Sequence, residues 1–320
     1  MQTNLTRRRF LASSVAAGAA CGYFLHPTGV RASRSPNEKL RIGVVGAGGK
    51  GWHNVQELTR GELAEQVEMV ALCDVDSNKL DKAAETFPNA RKYRDYRVMF
   101  DKEQDGIDAA VVSTADHNHA PATSIALVMG KHVYCEKPLT HTVAEARAIS
   151  ELAAQSDVAT QMGIQIHAGN NYRRVVELVQ SGTIGKISEV YTWCNKGWSD
   201  GRFDPPEPAP EYLDWDLWLG PAEERPYSPR IHPGNWRRFW EYGSGTFGDM
   251  ACHTANMAFM ACKLGYPVSV QAQMSEYNDQ TFPMWSIIEY RFPEREGMPP
   301  LKWFWYDGRP QDKPEWVTSK

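Results

Sequence analysis

Apolar and polar positions in the first half of the chain fall into short runs that stop at glycines or polar clusters. Ile42, Val44 and Val45 lead into Gly46-Ala-Gly-Gly-Lys-Gly51, and the run Val67-Glu-Met-Val-Ala-Leu-Cys73 ends at Asp74. Further apolar runs cover 107–113, 132–135 and 158–163. Between them lie stretches of helical character. One begins near Gly49, one covers 77–87 with Asp76 or Ser77 as its cap, one covers 120–130 and closes on Gly130, and one covers 143–154. Strands alternating with helices predict parallel crossovers and a doubly wound sheet, with a ligand at the carboxyl ends of its strands.

Past residue 165 the rhythm changes. A helix over 172–181 and an alternating strand over 185–193 precede a long stretch rich in proline and aromatic residues. A single helix over 246–264 follows, then strands over 268–277, 285–292 and 301–306 that are expected to run antiparallel. The expected fold class is α/β: an N-terminal doubly wound parallel sheet of the Rossmann type over 33–164, then an α+β domain with an open, mainly antiparallel sheet over 165–320.

The glycine cluster changes the picture from fold to chemistry. Gly46, Gly48 and Gly51 have the G-x-G-x-x-G spacing. The first makes the tight turn, the second lets backbone approach a pyrophosphate, and the third lets helix pack on strand. A helix starting near Gly49 aims its unpaired N–H groups at the phosphates. Asp74 ends the second strand 23 residues past Gly51, where a carboxylate accepts bonds from both adenosine ribose hydroxyls and repels a 2′-phosphate. Val-Asp-Ser follows, without arginine, so the expected cofactor is NAD rather than NADP.

Composition narrows the partners. Hydrophobic residues make up 42% and charged residues 23% of 320 residues, ordinary for a globular chain, and the net charge of −4 offers no basic footprint for nucleic acid. The six cysteines contain no C-x-x-C pair and sit mostly in apolar runs, so neither a disulfide framework nor a metal site is expected. Residues 1–32 differ from the rest: Arg7-Arg8-Arg9-Phe-Leu11 precedes an alanine-rich run and Val30-Arg-Ala32. This looks like a twin-arginine signal, and implies export of a folded, cofactor-loaded protein to the periplasm. The run is too short and too rich in small residues to make a stable membrane span.

Three stretches together resemble the glucose-fructose oxidoreductase / inositol dehydrogenase (Gfo/Idh/MocA) family: the glycine turn, Glu136-Lys137-Pro138 after a strand, and Gly248-Asp249-Met-Ala-Cys-His253. Thr114-Ala-Asp-His117-Asn-His119 is similar to the family's segment after its strand, with Ala115 in place of the usual proline and Asn118 in place of the commoner aromatic. The resemblance implies an NAD(H)-dependent oxidoreductase acting on a secondary hydroxyl of a sugar, polyol or glycoside. Two alternatives stay open: a glycosidase that oxidises, eliminates and re-reduces with held NAD, and a non-catalytic NAD-binding or assembly protein.

The resemblance also implies roles. Lys137 faces the nicotinamide as an acid–base group, with Glu136 orienting it. Asp249 and His253 are four apart on one predicted helix face, with Asn256 near the same line: His253 takes the hydroxyl proton, and Asp249 binds substrate or steadies the imidazolium. Thr114, His117 and His119 fall beside the cofactor, and Tyr172 and Arg173, with His167, beside the substrate. Tryptophans 193, 198, 215, 218, 236 and 240 suit a carbohydrate pocket, a subunit contact in a homo-oligomer, or a core. Exported members of this kind continue well beyond Lys320, so the second sheet is expected to lack its last strands and to expose an unpaired edge.

Overall fold

The first sheet is built from strands whose side chains are covered on both faces. The computed structural model describes residues 38–308 and Pro314; the arginine run and the leader lie outside the described residues. In β1 (Leu40–Val45), Ile42 to Val45 are buried in succession, which marks a parallel strand with helices on both sides. It pairs in parallel with β2 (Val67–Cys73) and β4 (Ala109–Val112). With β3 (Arg91–Tyr93), β5 (His132–Glu136) and β6 (Thr160–Gly163) the order is β3-β2-β1-β4-β5-β6, all parallel.

The order reverses direction between β1 and β4, and the crevice at their carboxyl ends is where such a sheet takes its ligand. The helices of this half are α1 (Gly49–Leu58), α2 (Ser77–Thr86), α3 (Tyr96–Lys102), α4 (His119–Val128) and α5 (Val143–Ala154). Asp76 caps α2 by accepting from the Asn78 and Lys79 N–H groups. Thr142 and Glu145 form a capping box that starts α5. The short β3 and α3 were not anticipated, because no apolar periodicity marks 91–102.

The second half contributes α6 (Asn170–Gln180), β7 (Glu189–Cys194), α7 (Trp215–Leu219), α8 (Gly245–Thr254), α9 (Asn256–Ala261), β8 (Ser269–Met274), β9 (Ser286–Phe292) and β10 (Leu301–Asp307). Its sheet has the order β7-β10-β9-β8. β8, β9 and β10 are antiparallel as expected, while β7 lies parallel to β10. One face packs Leu301, Trp303 and Trp305 against Phe247, Ala255 and Cys262. The expected single helix over 246–264 is two helices with a break at Ala255. Asn256 therefore starts α9, where its side chain meets His167.

The proline- and aromatic-rich stretch between β7 and α8 is an arm that returns to the first sheet. Asp214 N–H donates to Val75 O (2.9 Å), and Ser77 N–H donates to Tyr212 O (2.8 Å). Trp218, Leu219, Ile231, Trp236, Phe239 and Tyr242 give the arm its own core, with Trp215 stacked on Trp218 at 4.7 Å. Three of the six tryptophans are thus packing residues.

Candidate functional site

The glycine turn has the shape a dinucleotide requires. Gly46 sits at φ +84°, and a Cβ there would lie 2.8 Å from Ser113 O. A Cβ on Gly51 would fall 1.7 Å from Gly46 O, so the third glycine is the condition for α1 to touch its own turn. Gly49, at φ +52°, opens α1. Gly48 N–H donates to Asp74 Oδ2 (2.8 Å) and Asp76 N–H to Oδ1 (2.9 Å), which fixes the Asp74 carboxylate at the end of β2. Burial pushes this carboxyl upward, and those same bonds pull it back. Backbone cradle, helix N-terminus and acid all fit NAD: Gly46, Gly48, Gly49 and Gly51 would hold its pyrophosphate, and Asp74 its adenosine ribose.

Glu136 ends β5 buried, and its partners lie on the turn side rather than the lysine side. Asn54 Nδ2 donates to Glu136 Oε1 (2.9 Å) and to Ser113 Oγ (3.1 Å), and Lys50 Nζ lies 3.7 Å from the same carboxylate. Glu136 therefore ties α1 to β5. The expectation that it orients Lys137 is corrected: Asp249 does so.

Lys137, one residue beyond β5, reaches across to α8. Its Nζ donates to the Asp249 carboxylate through a short contact and to Asp249 O (3.0 Å). Both side chains are about nine-tenths withdrawn from solvent, at 11% and 8% exposure. Trp198 Nε1 donates to Asp249 Oδ2 (2.7 Å), and Arg237 Nε to Oδ1 (3.3 Å). Burial alone would raise the Asp249 carboxyl, but Lys137, Arg237 and Trp198 together hold it below its ordinary value. The acid is thus a fixed anion that steadies the lysine and acts on His253 through its charge. His253 is half-buried, and burial, then the Lys137 ammonium, push it below the usual histidine value. A neutral imidazole able to accept a proton is the consequence.

The rings of the two histidines after β4 are held by main chain. His117 is fully enclosed, with Nε2 3.0 Å from Trp218 O and Nδ1 3.3 Å from Tyr242 O, and burial drives it down to about 4. His119 lies between Pro138 O (2.7 Å, Nδ1) and Thr114 O (3.1 Å, Nε2). Burial opposes its charge, yet Cys135 and the two carbonyls raise it. His119 ties the β4 loop to the β5 loop, while the neutral His117 donates its one N–H to an arm carbonyl and has Asn118 Nδ2 3.0 Å from its Nε2. Neither has a ring nitrogen left for a cofactor. Thr114 shares that loop, its hydroxyl turned to Ala115 O (3.2 Å).

The substrate-side expectations separate in the same way. Tyr172 is buried, packed 5.1 Å from the His167 ring, and His167 Nδ1 meets Asn256 Nδ2 at 2.8 Å. These three residues form a cluster of their own. Arg173 is exposed on the outer face of α6 beside Asn170, Arg174 and Glu177. Sequence reading missed Arg237, Ser244 and Asp116, and had Trp198 only as one aromatic among six. Asp116 is buried and accepts from Ser244 Oγ (3.0 Å); burial drives it up to about 7, against the pull of Arg237, Ser244 and Lys137. No group of histidine, cysteine and carboxylate side chains suited to a metal occurs among the described residues.

Comparison with known proteins agrees with this geometry. Residues 40–164 match the family described as an oxidoreductase family with an NAD-binding Rossmann fold, and residues 169–297 match the same family's C-terminal alpha/beta domain. The chain is similar to myo-inositol 2-dehydrogenase of Thermotoga maritima, 27% identical over 55% of this chain and 48% of that protein. It is also similar to the alpha-N-acetylgalactosaminidase of Shewanella oneidensis, 27% identical over 47% of this chain and 34% of that protein. The matched regions thus span less than half the length of these curated relatives. The WlbA dehydrogenase from Bordetella pertussis, solved with NADH and UDP-GlcNAcA, shares the fold with a TM-score of 0.62 at 18% identity, over 83% of this chain and 72% of that one. Both halves match one family in chain order, with the glycine cradle in the first and the Lys137–Asp249 pair joining the first to the second: the chain belongs to the Gfo/Idh/MocA oxidoreductase family.

Proposed function

We propose that the protein is an NAD(H)-dependent oxidoreductase acting on a secondary hydroxyl of a sugar, polyol or glycoside. The observation that carries this reading is Lys137 at the carboxyl end of β5, held by an acid from the other half of the chain. When bound, the nicotinamide supplies the hydride acceptor. Lys137 holds and polarises the substrate oxygen, and His253, kept neutral by burial and by Lys137, takes the hydroxyl proton. Asp249 fixes the lysine, and Trp198 fixes Asp249 through its indole N–H. Asn256 and Tyr172, which meet at His167, and Arg173 on the outer face of α6 would take part in substrate binding only at a distance from Lys137.

A second reading is favoured by the similarity to the alpha-N-acetylgalactosaminidase. In it the same site oxidises a glycoside, eliminates the leaving group and returns the hydride. A screen of free sugars, polyols and glycosides, read by NADH absorbance and product mass, separates the two. Net NADH with an oxidised sugar supports the first; a released leaving group without net NADH supports the second. NAD binding without turnover of any substrate would contradict both.

We further infer export and self-association. The support for export is the arginine run at 7–9, and Arg7→Lys with Arg8→Lys should retain the protein in the cytoplasm. The support for a homo-oligomer is one face of the second sheet, where the strand register places the exposed Trp193 on the same side as the stacked Tyr191 and Phe304. A monomer in sedimentation at micromolar concentration would contradict it.

A further inference from the structure

At the start of the helix that carries Asp249, a second carboxyl is held that the reaction outlined above does not use. Asp116 is 3% exposed, in the single turn after β4. Ser244 Oγ, at the end of the arm, donates to its Oδ2 at 3.0 Å. The charged and titratable groups acting on it come from three other elements: Arg237 in the arm, Lys137 after β5, and Asp249 and Cys252 on α8. With Asp116 ionised, the two cations Lys137 and Arg237 are balanced by two carboxylates. With Asp116 protonated, the cluster carries one uncompensated positive charge.

We propose that Asp116 is a charge-compensating positioning residue whose ionisation sets the site's preference between oxidised and reduced nicotinamide. This rests on the reading of Lys137 as the residue beside the nicotinamide. The oxidised ring is a cation and the reduced ring is neutral, so an ionised Asp116 favours NAD⁺ and a protonated one is indifferent to NADH. Oxidation of a hydroxyl sends a hydride to the ring and a proton to His253. As the ring loses its charge, Asp116 binds a proton more readily, so reduction of the ring and proton uptake at Asp116 are linked. Burial already holds the carboxyl near about 7, inside the range where that linkage operates at neutral pH.

The test measures dissociation constants of NAD⁺ and NADH against pH, with no substrate present. For the native protein, NAD⁺ should bind about tenfold more weakly as pH falls from about 8 to about 5.5, while NADH changes less than about twofold, the size expected for one partly screened unit charge. Asp116→Asn should flatten the NAD⁺ curve at its weak-binding limit. Ser244→Ala removes a bond that favours the ionised form, and should move the midpoint to higher pH without changing the two limits. Parallel NAD⁺ and NADH curves in the native protein, or an unchanged NAD⁺ curve in a folded Asp116→Asn protein, would overturn the proposal. An Asp116→Asn protein that does not fold leaves the Ser244→Ala midpoint as the decisive reading, and an unmoved midpoint overturns the proposal equally. Binding of neither nucleotide would instead refute the NAD reading itself, and this proposal with it.

Discussion

Lys137 and Asp249, 112 residues apart in sequence, meet in a buried ion pair that joins the carboxyl edge of the parallel sheet to α8 of the second half. Arg237 and Trp198 complete the carboxylate's shell, so the lysine is held by an acid that is itself fully occupied. Asp249→Asn removes the charge and leaves Lys137 and Arg237 facing each other. This should lower kcat/KM by about 10²-fold or more, mainly through a misplaced lysine. Steady-state kinetics of the variant check it, and an unaltered kcat/KM would show that Lys137 needs no anchor.

Cofactor choice follows from Asp74, held at the end of β2 by two N–H groups. NAD(H) should bind at least about tenfold more tightly than NADP(H), because the fixed carboxylate repels the extra phosphate. Titration with both nucleotides measures it, and Asp74→Ala should narrow the gap.

Gly51 tests the cradle. A Cβ at this position overlaps Gly46 O at 1.7 Å, and main chain on both sides leaves no flexible end to give way. Gly51→Ala should destabilise the fold by about 3 kcal/mol or more and abolish nucleotide binding, read by chemical denaturation and by titration.

Much of the first half was legible in the sequence because its determinants are local. The buried run of β1, the glycine turn and the caps at Asp76 and Thr142 act within a few residues of themselves. The second half was less legible. The break at Ala255 has no glycine or proline to announce it, and the arm folds through the stacking of Trp215 on Trp218 and its bonds to Val75 and Ser77, which follow no period. The site was visible in its parts, Lys137, Asp249 and His253, through resemblance rather than spacing. Arg237, Ser244 and Asp116 carried no local signal, since their roles exist only once the arm closes on the sheet. The main-chain bonds of His117 and His119 were illegible for a similar reason, because a ring held by main chain looks the same in sequence as one that faces a ligand.

The enclosed histidines have a pH cost. Burial drives His117, and His232 of the arm, whose ring packs edge-on against Trp218, down to about 4, below the ordinary value near ~6.5. The unfolded chain takes up a proton at each site as pH falls below about 6.5, while the folded chain refuses it until about 4. Stability is therefore lost across that window, up to about 3 kcal/mol for each histidine. Denaturation midpoints from pH 7 to pH 4 check the slope, and His117→Gln should reduce it.

In the proposed reaction Lys137 and His253 act on a hydroxyl beside the nicotinamide. The most direct measurement is the kcat of Lys137→Ala and His253→Ala on the best substrate of the screen, alongside NAD⁺ affinity in the same preparations. Each variant should lose about 10²–10⁴-fold in kcat while binding NAD⁺ within a few-fold of the native protein, since the pyrophosphate rests on the glycine turn. Near-native turnover by either variant would contradict the account and return the buried pair to a purely structural role.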